Sequence, residues 1–451
     1  MSERKEKRGR VRVLISLLVP LAGSPLVFLK HSLAEGGRDP AYEEERDKGS
    51  GFAEGSALRG DPLKLEAVLA YAQEHNPAIR AARSRLVAAR MVPAQASAYD
   101  DPMVVWDSWN TPESLRVDRA SNNIFRLSQK IPFPGKLRLK GEIAAKEAER
   151  AEAALRAAEI ELRAQVKEAY YDLWLGYQNL NVYRRDRGLA SQFAQIAERK
   201  YAVGQVSQPD VLRAQVELTH LVNRVTTETL NLSKVRAQLN ALLSRPSEAP
   251  LGTPGDPPPP VVAYALADLE HLTLANRPEL TAQARAVERE GLALALARKA
   301  YYPDFEVSAS RFENFGQRDG FGLTFSATIP LAFRHKYDAG VEEAAANREA
   351  AQDELRRLQD RALFEVKQAL VEAQVAVEQL DLFLHTHIPQ AEQTLAASQI
   401  AYQTGGIDFL SLVESVRGVE QVHLEHLMAA ASFEKAWAEL ERAVGQELPR
   451  R

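Results

Sequence analysis

Four histidines are the residues in this chain whose type and spacing most directly suggest chemistry. His385 and His387 precede a Gly405-Gly406 turn at about the distance at which His423 and His426 follow it. A helical hairpin folded at that turn brings the two pairs to the same height, and His423 and His426, at i and i+3, share a helix face. Imidazole is a common ligand for zinc, copper and nickel, so all four are weak candidate metal ligands. Against this, His385 and His387 at i and i+2 point apart on a helix, and isolated surface histidines are ordinary. Catalytic readings are poorer still. There is no Gly-rich phosphate loop, Gly-x-Ser-x-Gly elbow or His-Glu-x-x-His helix, and with no cysteine in the chain thiolate metal sites and Cys nucleophiles are excluded. The carboxylates run along helix faces beside Lys and Arg, as solvated charges do. Neither an enzyme nor a bound cofactor is expected.

The elements that must position these residues come in two copies. Asn76-Pro77 matches Arg277-Pro278, Tyr201-Ala-Val-Gly204 matches Tyr402-Gln-Thr-Gly405, and Leu239 matches Leu440, all at an offset of about 201 residues. Tyr99 pairs with Tyr301 and Ile131-Pro132 with Ile329-Pro330 at nearly the same spacing. Such a period exceeds a solenoid unit and marks a duplicated half-protein. The expected halves are residues 61–245 and 263–448, joined by a Pro-rich linker over 246–262 that contains four consecutive prolines, Pro257 to Pro260. Residues 35–60, rich in Gly and charge, read as a flexible lead-in.

Export is written into the first 34 residues. Arg4, Lys5, Lys7, Arg8, Arg10 and Arg12 precede an apolar run from Val13 to Leu29, followed by Ser32-Leu33-Ala34, which suits cleavage at small residues. A membrane anchor is the alternative, but Pro20, Gly23 and Pro25 break the run. Cleavage takes the net charge from −4 to about −9, and the near balance of 57 basic and 61 acidic residues argues against nucleic acid as a partner. After that run no stretch approaches the roughly 18 apolar residues of a spanning helix, so any membrane contact falls to strands.

Each half reads as helix, strand pair, very long helix, tight turn, helix. Leu162, Val166, Ala169, Leu173, Gly176 and Leu180 alternate spacings of four and three, and Leu363, Val366, Leu370, Ala373, Val377, Leu380 and Leu384 repeat the pattern. Each long helix is expected beside two shorter ones stacked end to end, over 63–98 with 207–245 and over 265–300 with 408–446. Met103 to Trp109, Asn123 to Ile131, Asp304 to Phe312 and Gly320 to Ile329 read as strands. In the last, Phe321, Leu323, Phe325, Ala327 and Ile329 alternate with Gly and hydroxyl residues over the length a tilted membrane strand needs. Of 32 aromatics, 14 fall in 99–133 and 301–337, which favours an interfacial girdle. Two soluble hairpins packed on the helices remain the alternative. Four strands cannot close a barrel, so in lipid several protomers must share one.

These repeats, the strand exit Ile131-Pro132-Phe133-Pro134-Gly135-Lys136, and the turns Tyr201-Ala-Val-Gly204-Gln-Val-Ser-Gln-Pro-Asp210 and Tyr402-Gln-Thr-Gly405-Gly-Ile-Asp408-Phe-Leu resemble the TolC-type outer membrane efflux factors. The resemblance covers about residues 62 to 448, and the Pro-Phe-Pro-Gly-Lys exit is most similar to the heavy-metal cation branch. It implies a mostly α protein with a membrane β-barrel portion: a homotrimer, four strands per protomer in a shared 12-stranded barrel set in outer membrane lipid, continued by an α-helical periplasmic tunnel. It implies a passive exit duct for metal cations or small toxic compounds. The partners it implies are a periplasmic adaptor (membrane fusion protein) and an inner-membrane transporter of the RND type. The chain departs from many relatives in lacking a lipidated cysteine, which leaves anchoring to the barrel. A rival class is an exported coiled-coil tether, which needs neither matched hairpins nor a barrel.

The same resemblance places the adaptor at the two turns, Gly204, Gln205 and Val206 in the first half and Gly405, Gly406, Ile407 and Asp408 in the second. Gly204 and Gly405 suit a helix C-terminus that needs φ > 0, and Ser207 and Asp408 suit the caps of the returning helices. It also places the acidic residues of a pore constriction six and nine positions past the second tip glycine, which here are Ser411 and Glu414, while the first half offers Asp210 and Arg213. Three copies of one carboxylate about a narrow axis attract cations and repel anions; the alternative is an acid that only complements a helix dipole.

Overall fold

The computed structural model describes residues 58–109, 111, 122–314, 317–331 and 333–450. The expected signal segment and the lead-in up to residue 57 lie outside them. Each half then follows the expected order. In the first, α1 (Leu65–His75) and α2 (Pro77–Ala96) lead to strands β1 (Met103–Trp109) and β2 (Asn122–Ile131), the helix α3 (Lys136–Ala202) and the return helix α4 (Gln208–Leu242). In the second, α5 (Leu266–Asn276) and α6 (Pro278–Lys299) lead to β3 (Asp304–Asn314) and β4 (Gly320–Thr328), then to α7 (Ala339–Leu382), α8 (Ile388–Thr404) and α9 (Phe409–Val444).

At 67 residues, α3 extends on the order of 100 Å, with α2 packed along one stretch of it and α4 along the other. The heptad residues Leu162, Val166, Ala169, Leu173 and Leu180 are buried against Leu232 and Leu239 of α4, and Val68, Leu69 and Ala72 of α1 close the same core. A second core gathers Val366, Leu370, Ala373, Phe433, Trp437 and Leu440. The duplication extends to single contacts. Asn76 Nδ2 donates to the Leu242 carbonyl at 2.9 Å, and its counterpart Arg277 donates through Nη1 to the Ala443 carbonyl at 3.5 Å.

Two expectations are corrected. The second long helix is not α-helical throughout, because a π-helical turn, Phe383–His387, lies between α7 and α8. Pro389 is the cause that the sequence offers: it has no N–H to give to residue 385, and its ring crowds that carbonyl. The wider turn shifts the register, so Leu384, expected in the core, is 57% exposed. The Pro-rich linker and the end of the lead-in are also packed rather than free. Leu58 and Leu251 are buried in the first core, Leu63 N donates to Thr253 O at 2.8 Å, and Trp174 Nε1 donates to Asp256 at 3.0 Å.

The strands form one antiparallel sheet in the order β1-β2-β3-β4, rather than two separate hairpins. Its register aligns Trp106, Phe125, Arg311 and Phe321 on one face with Val104, Leu127, Ala309 and Leu323 beside them. The other face aligns Ser128, Ser308 and Thr324, then Lys130, Glu306 and Ser326. The apolar face is bare: Phe321, Leu323 and Phe325 are 84%, 87% and 70% exposed.

Gly445 ends α9 with φ +86°, and a Cβ there would lie 2.7 Å from Arg277 Cα. Gly445→Ala should therefore cost on the order of 2–4 kcal/mol through left-handed strain and a clash with fixed backbone. The measurement is the thermal midpoint of the helical signal, which should fall well below that of Gly418→Ala, where a Cβ meets nothing within 4 Å.

Candidate adaptor tips and channel constriction

The two tips are built alike. After α3 the chain turns through Gly204 at φ +73°, with Gly204 N donating to Tyr201 O and Gln205 N to Lys200 O, both at 2.9 Å. After α8 it turns through Gly405 at φ +81°, and Gly406 N donates to Ala401 O at 2.7 Å. These bonds satisfy the last helical carbonyls, and the left-handed conformation they require is open to glycine at little cost. Gln205 is exposed, and Val206 and Ile407 are half-buried, so the turns present backbone and few large side chains.

Both return helices are capped as expected, and the caps use two of the candidate constriction residues. Asp210 Oδ2 accepts from Ser207 N at 3.2 Å and Ser207 Oγ at 2.7 Å, with Arg213 3.8 Å from its other oxygen. Ser411 donates to Asp408 Oδ1 from its amide at 3.0 Å and from its hydroxyl at 2.6 Å. Glu414 is free of such duty. It is exposed on α9 while Leu412, Val413 and Val416 are buried, so its carboxylate lies on the face turned away from the helical packing.

Between the tips sits a small apolar plug of Ala194, Ala197, Ala214, Tyr402, Phe409, Leu412 and Val413, which joins the two hairpins. Lys200 Nζ donates to Tyr402 O at 3.0 Å and lies 4.4 Å from the centre of the Tyr402 ring. Further along, Arg417 of α9 meets Glu217 of α4, with Nε 3.2 Å from Oε1.

The histidines do not converge. His385 Nδ1 lies 3.0 Å from Asp381 Oδ1, His387 packs edge-on to Phe383, and His423 Nε2 lies 3.5 Å from Glu392 Oε1. His426 shares a groove of about 380 Å³ with His385, Leu384, Phe433 and Pro257–Pro260; burial holds its imidazole below the usual range, with the neighbouring His423 adding to the effect. Among the described residues no group of three or more His, Asp or Glu is placed to hold a metal ion. The π turn carries His385 and His387, and each meets a residue one turn earlier in its own segment, Asp381 and Phe383.

Sequence reasoning missed the partners of the Pro-Phe-Pro-Gly-Lys exit. Asp304, the first residue of β3, accepts from Lys136 Nζ at 2.7 Å and from Phe133 N at 2.8 Å, while Phe133 stacks on Tyr302 at 4.4 Å. Lys299 Nζ lies 5.2 and 5.3 Å from the centres of those two rings. The motif is a clasp between the halves at the point where sheet becomes helix. Its signal was present in the Tyr-Tyr-Pro-Asp run over 301–304 at the offset of the repeat.

A four-stranded sheet with one apolar face, continued by hairpins of helix far too long for a membrane, defines a barrel-and-tunnel channel protomer. The family model for outer membrane efflux proteins matches residues 68–245 and 269–446, and the chain belongs to that family. It is an outer-membrane protein with a long periplasmic helical part. The chain is 24% identical over 391 residues to the cobalt-zinc-cadmium resistance protein CzcC of Cupriavidus metallidurans, covering 85% of this chain and 90% of that one. Its fold superposes on the channel CusC with a TM-score of 0.74 at 16% identity, covering 85% and 92% of the two chains. It also superposes on the outer membrane protein VceC of Vibrio cholerae, with a TM-score of 0.73 at 17% identity over 85% and 96%.

Hydrogen bonds from the Ser411 hydroxyl and then its amide hold the Asp408 carboxyl below its usual range. A depressed carboxyl contributes stability above its ordinary value of about 4 and loses it as pH falls through the lower folded value. The second tip should therefore be unchanged between about pH 5 and 8 and fray only in stronger acid. Asp408→Ala should speed hydrogen exchange at the Ser411 amide across the whole range, leaving exchange in the first tip unchanged.

Proposed function

We propose that the protein is the passive exit duct of a tripartite efflux system, a homotrimer that conducts metal cations from periplasm to exterior. The observation that carries this reading is the pairing of two ends in one chain. One end is a sheet whose edge strands β1 and β4 have no further strand beside them among the described residues and whose apolar face is bare; the other is a pair of capped, glycine-turned tips. A tether would use the tips but has no need of a sheet that only further copies can close. Three protomers supply twelve strands, enough for a barrel whose serine- and threonine-lined face encloses water.

Metal cations as cargo rest on the likeness to CzcC, and the acidic constriction is compatible with them. Glu414 supplies the ring in this reading: exposed, nine residues past the tip glycine and free of capping duty, it is the constriction candidate least committed to its own protomer. Asp210 and Ser411 act mainly as caps. The tips at Gly204–Val206 and Gly405–Asp408 dock a periplasmic adaptor, which couples the duct to an inner-membrane transporter of the RND type. Metal selectivity in this reading belongs to the transporter.

In planar bilayers the reconstituted protein should give cation-selective conductance that multivalent cations block from the helical side. Glu414→Ala should weaken both selectivity and block, and an unchanged reversal potential in that variant would take Glu414 off the axis. Gly405→Val should reduce crosslinking to the adaptor several-fold while oligomer migration stays normal. Full crosslinking would remove the second tip from the docking surface.

A further inference from the structure

One layer of the helical bundle is not apolar. Asp186 of α3 and Glu420 of α9 lie 18 residues before the first tip glycine and 15 after the second, and so at about one level, on the order of 25 Å from the tips. Both are buried, at 2% and 5% exposed. Asp186 Oδ1 accepts from Arg185 Nε at 3.2 Å, but its Oδ2 is buried with no hydrogen-bond partner. Glu420 accepts from Arg224 of α4, whose guanidinium lies 5.7 Å from the centre of the Tyr183 ring of α3. His423, one turn beyond Glu420, reaches Glu392 of α8 at 3.5 Å. Four helices thus meet here through polar groups, and the layer separates the apolar plug at the tips from the two large cores.

We propose that this layer is a proton-binding hinge: a proton on Asp186, beside the Arg224–Glu420 pair, locks the return helix α9 against α3 and α4, and its release loosens the tip-proximal end of the hairpin. An unpartnered carboxylate oxygen in an interior is costly when charged and tolerable when protonated, because the proton supplies a donor in place of lost water. Burial is the leading influence on both groups and raises both carboxyls above their usual range. Arg185 and then His423 act against this at Asp186; at Glu420, Arg224 and Arg417 oppose the rise, while Asp186 and Glu217 add to it. Tyr183 and its neighbour Glu228 complete the charged and titratable surroundings. His426, beside His423, is itself held towards neutrality by burial.

The sign follows. A carboxyl whose folded value is raised binds more protons in the packed state than in the open one, so packing is favoured at the acid end and lost as pH rises through the folded value. Acid tightens this hinge and alkali frees it, opposite to the behaviour of the Asp408 cap.

The absence of native cysteine makes the test direct. Spin labels on Arg187→Cys and Gln421→Cys, at exposed positions of α3 and α9 on this level, report their separation in the full-length oligomer by pulsed electron resonance. Between about pH 5 and about pH 8 the distance distribution should lengthen and broaden, and with Asp186→Asn it should stay short at both. Asp186→Ala, which also removes the proton site, should likewise abolish the pH dependence, so that a folding defect in one variant leaves the other as the test. A distribution independent of pH, or a shift that survives in the variants, would overturn the proposal. The inference rests on helix packing and not on conduction, so its failure leaves the duct reading intact.

Discussion

Backbone amides and carbonyls in hydrocarbon must be paired within the protein, and the sheet of this chain cannot meet that demand alone. Among the described residues β1 and β4 are its edges, and each presents one row of groups without a strand partner. In the proposed homotrimer, edge pairing with further copies removes those rows and fixes much else. It makes the apolar row of Phe321, Leu323 and Phe325 the outer surface and the row of Ser128, Ser308 and Thr324 the inner one. It also sets the diameter that the helices must continue, so the clasp of Phe133, Lys136 and Asp304 lies where strand geometry gives way to helix.

Duplication supplies the repeated hairpins cheaply, but the halves have diverged where their tasks differ. The first long helix runs unbroken for 67 residues, while the second is interrupted by the π turn at Phe383–His387. The first tip is capped by a Ser-Asp pair in which Asp210 accepts, and the second by an Asp-Ser pair in which Asp408 accepts. The first exit has the Pro-Phe-Pro-Gly-Lys clasp, and the second continues through a short π segment over Phe333–Asp338. Such quasi-symmetry suits a ring in which alternate positions around the axis need similar but not identical contacts.

Much of the fold was legible in the sequence because it is carried by period and punctuation. Strand limits fell within two residues at every end, since alternation and turn residues mark them, and the tip glycines declared their left-handed conformation. Leu384 was misplaced because heptad spacing assumes an unbroken α-helix, and one proline five residues downstream was enough to alter it. The packed linker was misread because Leu251 and Asp256 find partners in α1 and α3 that local composition does not encode. At the site, glycines and caps were readable, whereas the layer at Asp186 and Glu420 was not. A buried acid in a long charged helix looks like its solvated neighbours until the opposing helices are placed.

The most direct test of the account is the number of chains in the folded particle. Light scattering with refractometry on detergent-solubilised outer membrane protein, paired with migration before and after heating, counts protomers without assuming a shape. Three chains, collapsing to one on heating, is the result expected of a sheet that closes only through its neighbours. A folded single chain with its sheet edges open in detergent and in bilayers would contradict the central claim.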